Sequence, residues 1–342
     1  MRIGINGLGR IGRGIFRVIN ADKNFNSDIR IVAIKDIITI DNAAYLLKYD
    51  SLYGTFTKEI DIDGDDIIID GKQRIKYFQT KDVSDVPWNN YEVDLLIESS
   101  GFTTSKELNY LIRNNIVKKI VCTWNVPNPD TTIICGVNLD AYDATKHNII
   151  SASTCTGNGV VPILHILKEK FGIEYGHIIT IHPVLSDQKL MDSAHEDPHL
   201  GRMALNSIIP TTTSVVKSSI MLHPDLKDKL DCISYRVPTT IVSSIDLSVS
   251  LEKNTSINEV KDVFLKYAGG VFKGIIDCDY GFNGHNKVSI DFIRSNYSSI
   301  ILMNYVQLTN KRFLALSLFH DNEWGYSNRV CDLISYINKP NK

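Results

Sequence analysis

A glycine-rich turn near the amino terminus constrains the fold of this 342-residue chain more than any other feature. It reads Gly7-Leu8-Gly9-Arg10-Ile11-Gly12 and directly follows a short apolar run, Arg2-Ile3-Gly4-Ile5-Asn6. A helical pattern comes next, with Ile11, Ile15, Val18 and Ile19 on its inner face. In such a unit the first glycine permits the tight turn, the second lets a pyrophosphate approach the backbone, and the third lets the helix pack on the strand. The motif predicts a Rossmann-type α/β unit whose helix amino terminus attracts an anion.

An acidic residue at the end of the next β-like run extends this prediction to a cofactor. Asp36 stands where a carboxylate accepts hydrogen bonds from ribose hydroxyls and repels a 2′-phosphate. Strand, glycines, helix and acid together favour an NAD site over a structural turn, and they favour NAD over NADP.

The pattern of the chain changes between its two halves. Up to about residue 150, short β-branched runs alternate with helical stretches, and the clearest predicted strands are 29–34, 93–98, 119–123 and 132–136. Beyond about residue 175 the segments are longer and alternating, as in 241–251, 288–292 and 312–319, and an amphipathic helix is predicted at 326–337. We therefore predict a Rossmann NAD-binding domain at 1–153, completed by a C-terminal helix within 322–342. A second α+β domain with a mostly antiparallel sheet is predicted at 154–321.

The charge balance and the cysteine spacing exclude several classes of function. The chain has 37 basic and 39 acidic residues and no long run of either sign, so neither nucleic acid nor an anionic membrane is an expected partner. It enters a β-like stretch at once and contains no run of about 18 apolar residues, so we expect a cytoplasmic protein. Its six cysteines show no C-x-x-C pair and no zinc spacing, which predicts reduced thiols and no metal site.

Local sequence singles out one cysteine as a candidate nucleophile. Cys155 immediately precedes a helical pattern formed by Val160, Ile163, Leu164 and Leu167. A thiol at a helix amino terminus feels the positive end of the helix dipole, which predicts a lowered pKa. His182 ends an apolar stretch and is the candidate base, although a histidine at a strand end is more often structural.

The chain resembles the glyceraldehyde-3-phosphate dehydrogenase family over essentially its whole length. Seven ordered segments carry the resemblance: Ile5-Asn6-Gly7-Leu8-Gly9-Arg10-Ile11-Gly12-Arg13, Tyr49-Asp50-Ser51, Gly136-Val137-Asn138, the Cys155 segment, Ile208-Ile209-Pro210-Thr211-Thr212-Thr213, Arg236-Val237-Pro238-Thr239 and Asp321-Asn322-Glu323-Trp324-Gly325-Tyr326-Ser327-Asn328-Arg329. The resemblance implies Cys155 as nucleophile and His182 as its acid and base. The cofactor-binding residues it implies are Gly7, Gly9, Arg10, Ile11, Gly12, Asp36, Lys81, Thr123 and Asn322. The substrate-binding residues it implies are Thr154, Thr156, Arg202, Thr213, Ser214 and Arg236.

The activity that the resemblance implies is NAD-dependent, phosphorylating oxidation of glyceraldehyde 3-phosphate through a cysteine thioester, by a homotetramer. Several residues depart from the family pattern. Leu185 and Leu200 replace a phosphate-binding threonine and arginine, Ser214 replaces a glycine, and Thr123-Trp124 replaces a Ser-Ala pair. These departures keep erythrose-4-phosphate dehydrogenase open as an alternative. A non-catalytic NAD-binding interaction protein is the alternative of another class.

Overall fold

The computed structural model describes residues 1–21 and 28–339. They form two compact units, one of residues 1–21, 28–153 and 326–339 and the other of residues 154–325. Residues 340–342 of the predicted C-terminal segment lie outside the described residues.

The first unit is built on a sheet whose central strands are parallel. Its strands are β1 (Arg2–Asn6), β2 (Arg30–Asp36), β3 (Ile60–Asp63), β4 (Asp66–Ile69), β5 (Gln73–Gln79), β6 (Leu95–Glu98), β7 (Lys119–Cys122), β8 (Thr131–Thr132) and β9 (Ile149–Ser151). Its helices are α1 (Arg10–Ala21), α2 (Ile40–Lys48) and α3 (Ser105–Arg113). The strand order is β3-β4-β5-β2-β1-β6-β7-β9-β8, and the pairs from β5 to β8 are all parallel.

Burial explains why this sheet is parallel at its centre. All four residues of β6 are buried, as are the last four of β1, so these strands are covered on both faces. Strands buried on both faces are typical of α/β sheets. The predicted Rossmann class is therefore confirmed for this unit.

The second unit carries a mostly antiparallel sheet. Its elements are α4 (Cys155–Phe171), β10 (Ile173–His182), β11 (Ile209–Thr211), α5 (Val215–Leu222), β12 (Leu230–Arg236), β13 (Ser243–Leu251), α6 (Ile257–Gly269), β14 (Ile276–Asp279), β15 (Ser299–Leu302), β16 (Gln307–Thr309) and β17 (Phe313–His320). The last helix, α7 (Trp324–Ile337), has its first two residues in this unit and the rest in the first unit. The strand order is β11-β12-β10-β13-β17-β15-β14, with β16 paired to β17. Among the described residues, only two of its strand pairings, β10 with β12 and β14 with β15, are parallel. The predicted class of this unit is confirmed as well.

One face of this second sheet is buried beneath α4. Alternate residues of β17 are buried, ending at His320, and α4 contacts β10, β13 and β15. A Cβ built on Gly159 would lie 3.1 Å from Cδ1 of Ile245 and 3.7 Å from Cδ2 of His320. The first two turns of α4 therefore lie directly over the ends of β13 and β17.

Two of the predicted strands are wrong. Residues Ser289–Phe292 form a 3₁₀ helix, and Val288 and Ile290 are 60% and 55% exposed, so their alternation does not face a sheet. In the segment 132–136, which was predicted as a strand, only Thr132 belongs to one. The backbone N–H groups of Val137 and Asn138 both donate to the carbonyl of Ile134, so the buried apolar run forms a turn.

No helix in the described part of the chain has the length and apolarity needed to cross a membrane.

The glycine turn generates a stability test. A Cβ on Gly12 would lie 2.0 Å from the carbonyl oxygen of Gly7, whereas a Cβ on Gly9 would meet no atom within 4 Å. We expect Gly12→Ala to lower the free energy of unfolding by about 1–3 kcal/mol, as overpacking does, and Gly9→Ala to change it by less than about 1 kcal/mol. Urea denaturation of the protein without added ligands measures both. Equal stability of the two variants would show that α1 does not depend on close contact at Gly12.

Candidate active site

The glycine turn lies at the carboxyl edge of the parallel sheet. Gly7 has a φ of +97°, which favours glycine, and its Cβ would lie 2.6 Å from the backbone nitrogen of Ser100. Space is open at Gly9, at the start of α1, so a ligand can approach the backbone there. Arg10 forms an ion pair of 2.5 Å with Asp50. The geometry fits a bound pyrophosphate at the amino terminus of α1.

Other predicted cofactor residues lie at the ends of neighbouring strands of the same sheet. Asp36 ends β2, and its Oδ2 accepts a hydrogen bond of 2.5 Å from the backbone N–H of Leu8 in the glycine turn. Thr123 follows β7, and its hydroxyl donates to the carbonyl of Glu98 at 3.1 Å. Lys81 lies in the loop after β5. The carboxyl ends of parallel strands in open α/β sheets are where ligands bind.

Cys155 is the first residue of α4, as the sequence predicted. Thr154 caps the helix, because its hydroxyl accepts a hydrogen bond of 3.1 Å from the backbone N–H of Gly157. Thr156 is buried, and its hydroxyl lies 3.8 Å from the sulfur of Cys155. The thiol thus lies where the unpaired N–H groups of the first turn begin.

Strand register brings a histidine and an arginine together in the second unit. His182 and Arg236 end β10 and β12, and they are direct partners in the parallel register. The backbone N–H of Val237 also donates to the carbonyl of His182 at 2.9 Å. The Arg236 guanidinium affects the pKa of both His182 and Cys155, so these three groups share one electrostatic environment.

The hydrogen bond of His182 defines which of its nitrogens is basic. Its Nδ1 lies 2.8 Å from the carbonyl oxygen of Pro183, and a carbonyl only accepts, so Nδ1 carries the proton and Nε2 is free. Burial, with a further contribution from Arg236, lowers the pKa of His182 to about 4. The imidazole is therefore neutral near pH 7 and can accept a proton.

The predicted low pKa of Cys155 is wrong in this structure. Burial of the thiol raises its pKa above the ordinary value, while the Thr156 hydroxyl and the Arg236 guanidinium act in the opposite direction. A position at a helix amino terminus does not by itself outweigh desolvation of the thiolate. The free thiol and the free imidazole are accordingly both neutral near pH 7.

Comparison with known proteins identifies the family. Residues 1–106 match the family model for the NAD binding domain of glyceraldehyde 3-phosphate dehydrogenase, and residues 154–322 match that for its C-terminal domain. The chain is 38% identical over 336 residues to glyceraldehyde-3-phosphate dehydrogenase 1 of Bacillus cereus, covering 98% of each chain. It is 36% identical over 337 residues to glyceraldehyde-3-phosphate dehydrogenase of Geobacillus stearothermophilus, covering 98% of each, and 36% identical over 343 residues to that of Mycobacterium leprae, covering 99% of each. The chain belongs to the glyceraldehyde-3-phosphate dehydrogenase family.

Membership in the glyceraldehyde-3-phosphate dehydrogenase family makes the chain an NAD-dependent oxidoreductase that acts on an aldehyde. The first unit contains the NAD-binding domain, and Asp36 and the glycine turn lie within the matched residues. The match to the C-terminal domain begins at Thr154, the residue that caps α4.

The predicted substrate-binding residues divide into two groups in the structure. Arg236 is half-buried near Cys155, and among the described residues its guanidinium makes no hydrogen bond or ion pair that would compete for an anion. Thr213 lies just before α5, and its hydroxyl accepts from the backbone N–H of Val215 at 3.3 Å, with exposed Ser214 beside it. Arg202 belongs to the second group. Its side chain is exposed and paired with Asp192 at 3.1 Å, and within the described residues no hydrogen bond or ion pair joins it to Cys155, His182 or Arg236.

Sequence reasoning missed one residue of this site and two beside the NAD-binding turn. His320 ends β17 and pairs in register with Ser243, the first residue of β13, which places it at the same sheet edge as His182. Burial and the nearby His182 lower its pKa to about 3, so it is a second neutral imidazole. Lys35 and Glu98 are buried next to Asp36 and the glycine turn. A histidine immediately before the Asp321-Asn322-Glu323 segment was the available signal for His320. Asn322, the predicted nicotinamide contact, follows it and is buried, and its Oδ1 has no hydrogen-bond partner in the described part of the chain.

The charges around the partly exposed thiols predict selective labelling. Cys155, Cys232 and Cys278 are partly exposed, and burial raises the pKa of all three. The charged neighbour is a cation, Arg236, for Cys155, but an acid, Asp231 or Asp277, for the other two. Limiting iodoacetamide should therefore label Cys155 first. Its labelling rate should rise roughly tenfold per pH unit between pH 7 and pH 8, because only the thiolate reacts and its pKa lies above that range.

Peptide mapping by mass spectrometry measures this order, and Cys155→Ser serves as the control for background labelling. A rate that is already constant below pH 8 would contradict the raised pKa. Equal labelling of the three cysteines would contradict the role assigned to Arg236.

Proposed function

We propose that the protein catalyses the NAD-dependent, phosphorylating oxidation of glyceraldehyde 3-phosphate to 1,3-bisphosphoglycerate, a step of glycolysis and gluconeogenesis. The observation that carries the proposal is the convergence of three groups in one environment. These are a thiol at the start of α4, a neutral imidazole at the end of β10, and a guanidinium at the end of β12. A nucleophile, a base and an anion-binding group are what covalent oxidation of a phosphorylated aldehyde requires.

Cys155 is the proposed nucleophile. His182 accepts the thiol proton at its free Nε2 as the sulfur attacks the aldehyde carbon, which gives a thiohemiacetal. The backbone N–H groups of the first turn of α4 can then stabilise the oxygen that becomes negative. Because both groups start neutral, this proton transfer occurs during the attack and is not completed beforehand.

NAD supplies the hydride acceptor for this oxidation when it is bound. The residues proposed to hold it are Gly7, Gly9, Arg10, Ile11, Gly12, Asp36, Lys81, Thr123 and Asn322. The open space at Gly9 fits a pyrophosphate, and the carboxylate of Asp36 fits ribose hydroxyls better than a 2′-phosphate. Loss of hydride leaves a thioester on Cys155, and inorganic phosphate cleaves the thioester to release the acyl phosphate.

Anion binding is proposed to depend mainly on Arg236. The Arg236 guanidinium is half-buried, feels the charge of Asp187, and forms no ion pair within the described residues, so it can bind an anion. Thr213 and Ser214 provide hydroxyls near the start of α5. Leu185 is exposed and Leu200 partly buried, and neither can bind phosphate through its side chain. We therefore assign the substrate phosphate to Arg236 and expect weak binding of the attacking inorganic phosphate. Thr154, Thr156 and Arg202 complete the proposed substrate-binding residues.

We further propose that the enzyme acts in the cytoplasm as a homotetramer. This proposal is supported by the family membership, because the chain aligns with nearly the full length of its relatives in this family.

A steady-state comparison of two sugar phosphates tests the proposed substrate. Glyceraldehyde 3-phosphate should give the higher kcat/KM with NAD, and erythrose 4-phosphate should give a lower one. Phosphate should accelerate turnover of the former with a high apparent KM, because Leu200 offers no charge-assisted contact. NADP should be the poorer cofactor because of Asp36.

Each alternative has its own outcome in this comparison. A higher kcat/KM for erythrose 4-phosphate, without dependence on phosphate, would replace the proposal by erythrose-4-phosphate oxidation with hydrolysis. NAD binding without turnover of either aldehyde would identify a non-catalytic protein. The Cys155→Ser variant controls for contaminating activity.

A further inference from the structure

A buried lysine connects the end of β2 to the loop that contains Lys81. Lys35 immediately precedes Asp36 and is 5% exposed. Its ammonium donates a hydrogen bond of 2.8 Å to the carbonyl oxygen of Lys81, and its own carbonyl accepts one of 2.8 Å from the backbone N–H of Gly7. One residue therefore contacts the glycine turn through its backbone and the loop after β5 through its side chain.

A buried carboxylate explains why a charged ammonium is tolerated there. Glu98, at the end of β6, is fully buried and accepts hydrogen bonds from Asn6, from the backbone and hydroxyl of Ser100 at 2.9 and 2.6 Å, and from the hydroxyl of Thr103 at 2.7 Å. Burial lowers the pKa of Lys35, and Glu98 is the strongest of the acidic groups that oppose this effect, followed by Asp36. Buried charges persist when an opposite charge and hydrogen bonds compensate them.

The loop that Lys35 contacts is also attached to the sheet through a backbone hydrogen bond of Thr80 and the buried side chain of Val83. Lys81 itself is exposed, and the backbone N–H of Thr80 donates to the carbonyl of Asp36 at 3.1 Å. The hydrogen bond from Lys35 therefore adds a charge-assisted restraint one residue further along the loop.

We propose that Lys35 is a positioning residue for the adenosine half of the cofactor, since its ammonium holds the Lys81 loop against the carboxyl edge of the sheet. This inference rests on the proposed assignment of Asp36 and Lys81 to NAD. The charge of Lys35 is directed inward, toward Glu98 and the Lys81 carbonyl, so it does not offer a binding group for a 2′-phosphate. Lys35 thus supports NAD binding without weakening the preference that Asp36 imposes.

The same sheet offers a matched control at its opposite edge. Lys119 is the first residue of β7, and its ammonium donates to the carbonyls of Ala144 and His147, both at 2.8 Å. Burial lowers its pKa as well. Lys119→Met therefore removes the same kind of lysine–carbonyl contact, but at the amino ends of the strands.

Equilibrium titration of the full chain with NAD and with ADP-ribose tests the inference. Lys35→Met should raise the Kd of both ligands by about tenfold. This corresponds to the low end of the binding free energy that is lost with a charge-assisted hydrogen bond. Lys119→Met should leave both values within about twofold of the original. At saturating NAD, kcat of the Lys35→Met variant should stay within about twofold, because Lys35 does not contact reacting groups.

Two further variants separate positioning from a general effect on folding. Lys35→Arg retains charge and donors and should recover most of the affinity for both ligands, even if Lys35→Met is too unstable to assay. In the double variant Lys35→Met with Glu98→Gln, thermal stability should recover while NAD affinity stays low. If affinity recovers together with stability, or if Lys119→Met weakens NAD equally, the inference is overturned. An unmodified protein that fails to bind NAD would instead refute the proposed function.

Discussion

The carboxyl ends of parallel strands must lie at one edge of a sheet, and both units depend on this constraint. In the first unit it brings the glycine turn, Asp36 and Glu98 to a common edge, although they come from three separate strands. In the second unit the parallel pairing of β10 with β12 does the same for His182 and Arg236. The antiparallel strands β13 and β17 extend that edge and add His320 to it.

Burial then determines the chemistry that these edges can perform. Desolvation raises the pKa of Cys155 and lowers the pKa of His182, so the pair starts as thiol and imidazole. A neutral pair avoids the cost of two buried charges before the substrate arrives. Arg236 favours the thiolate and disfavours the imidazolium, and it offers a positive charge to an anionic substrate. In the proposed function, substrate binding and nucleophile activation are therefore coupled through one guanidinium.

Features that depend on neighbouring residues in the sequence were predictable. Features that depend on the pairing of strands distant in the sequence were not. The glycine turn, the start of α4 at Cys155 and the strand that ends at His182 follow from neighbouring residues, and the structure contains them. Lys35, Glu98 and His320 acquire their surroundings only when remote strands pair, which sequence periodicity does not reveal. The pKa of Cys155 was mispredicted for the same reason, because burial by the folded chain exceeds the effect of the helix terminus. The strand predicted from the apolar alternation at 288–292 is wrong, because residues Ser289–Phe292 form a 3₁₀ helix and do not pair with a strand.

Covalent attachment of the acyl group to Cys155 is the central claim. The most direct measurement mixes the enzyme rapidly with glyceraldehyde 3-phosphate and NAD in the absence of inorganic phosphate and quenches the reaction with acid. Mass spectrometry of the intact protein and of its peptides then detects any adduct. The account predicts an acyl adduct of the phosphoglyceroyl mass on the peptide that contains Cys155, and loss of that adduct when phosphate is added before the quench. NADH formation with no adduct on any cysteine, or an adduct on Cys232 or Cys278, would contradict it.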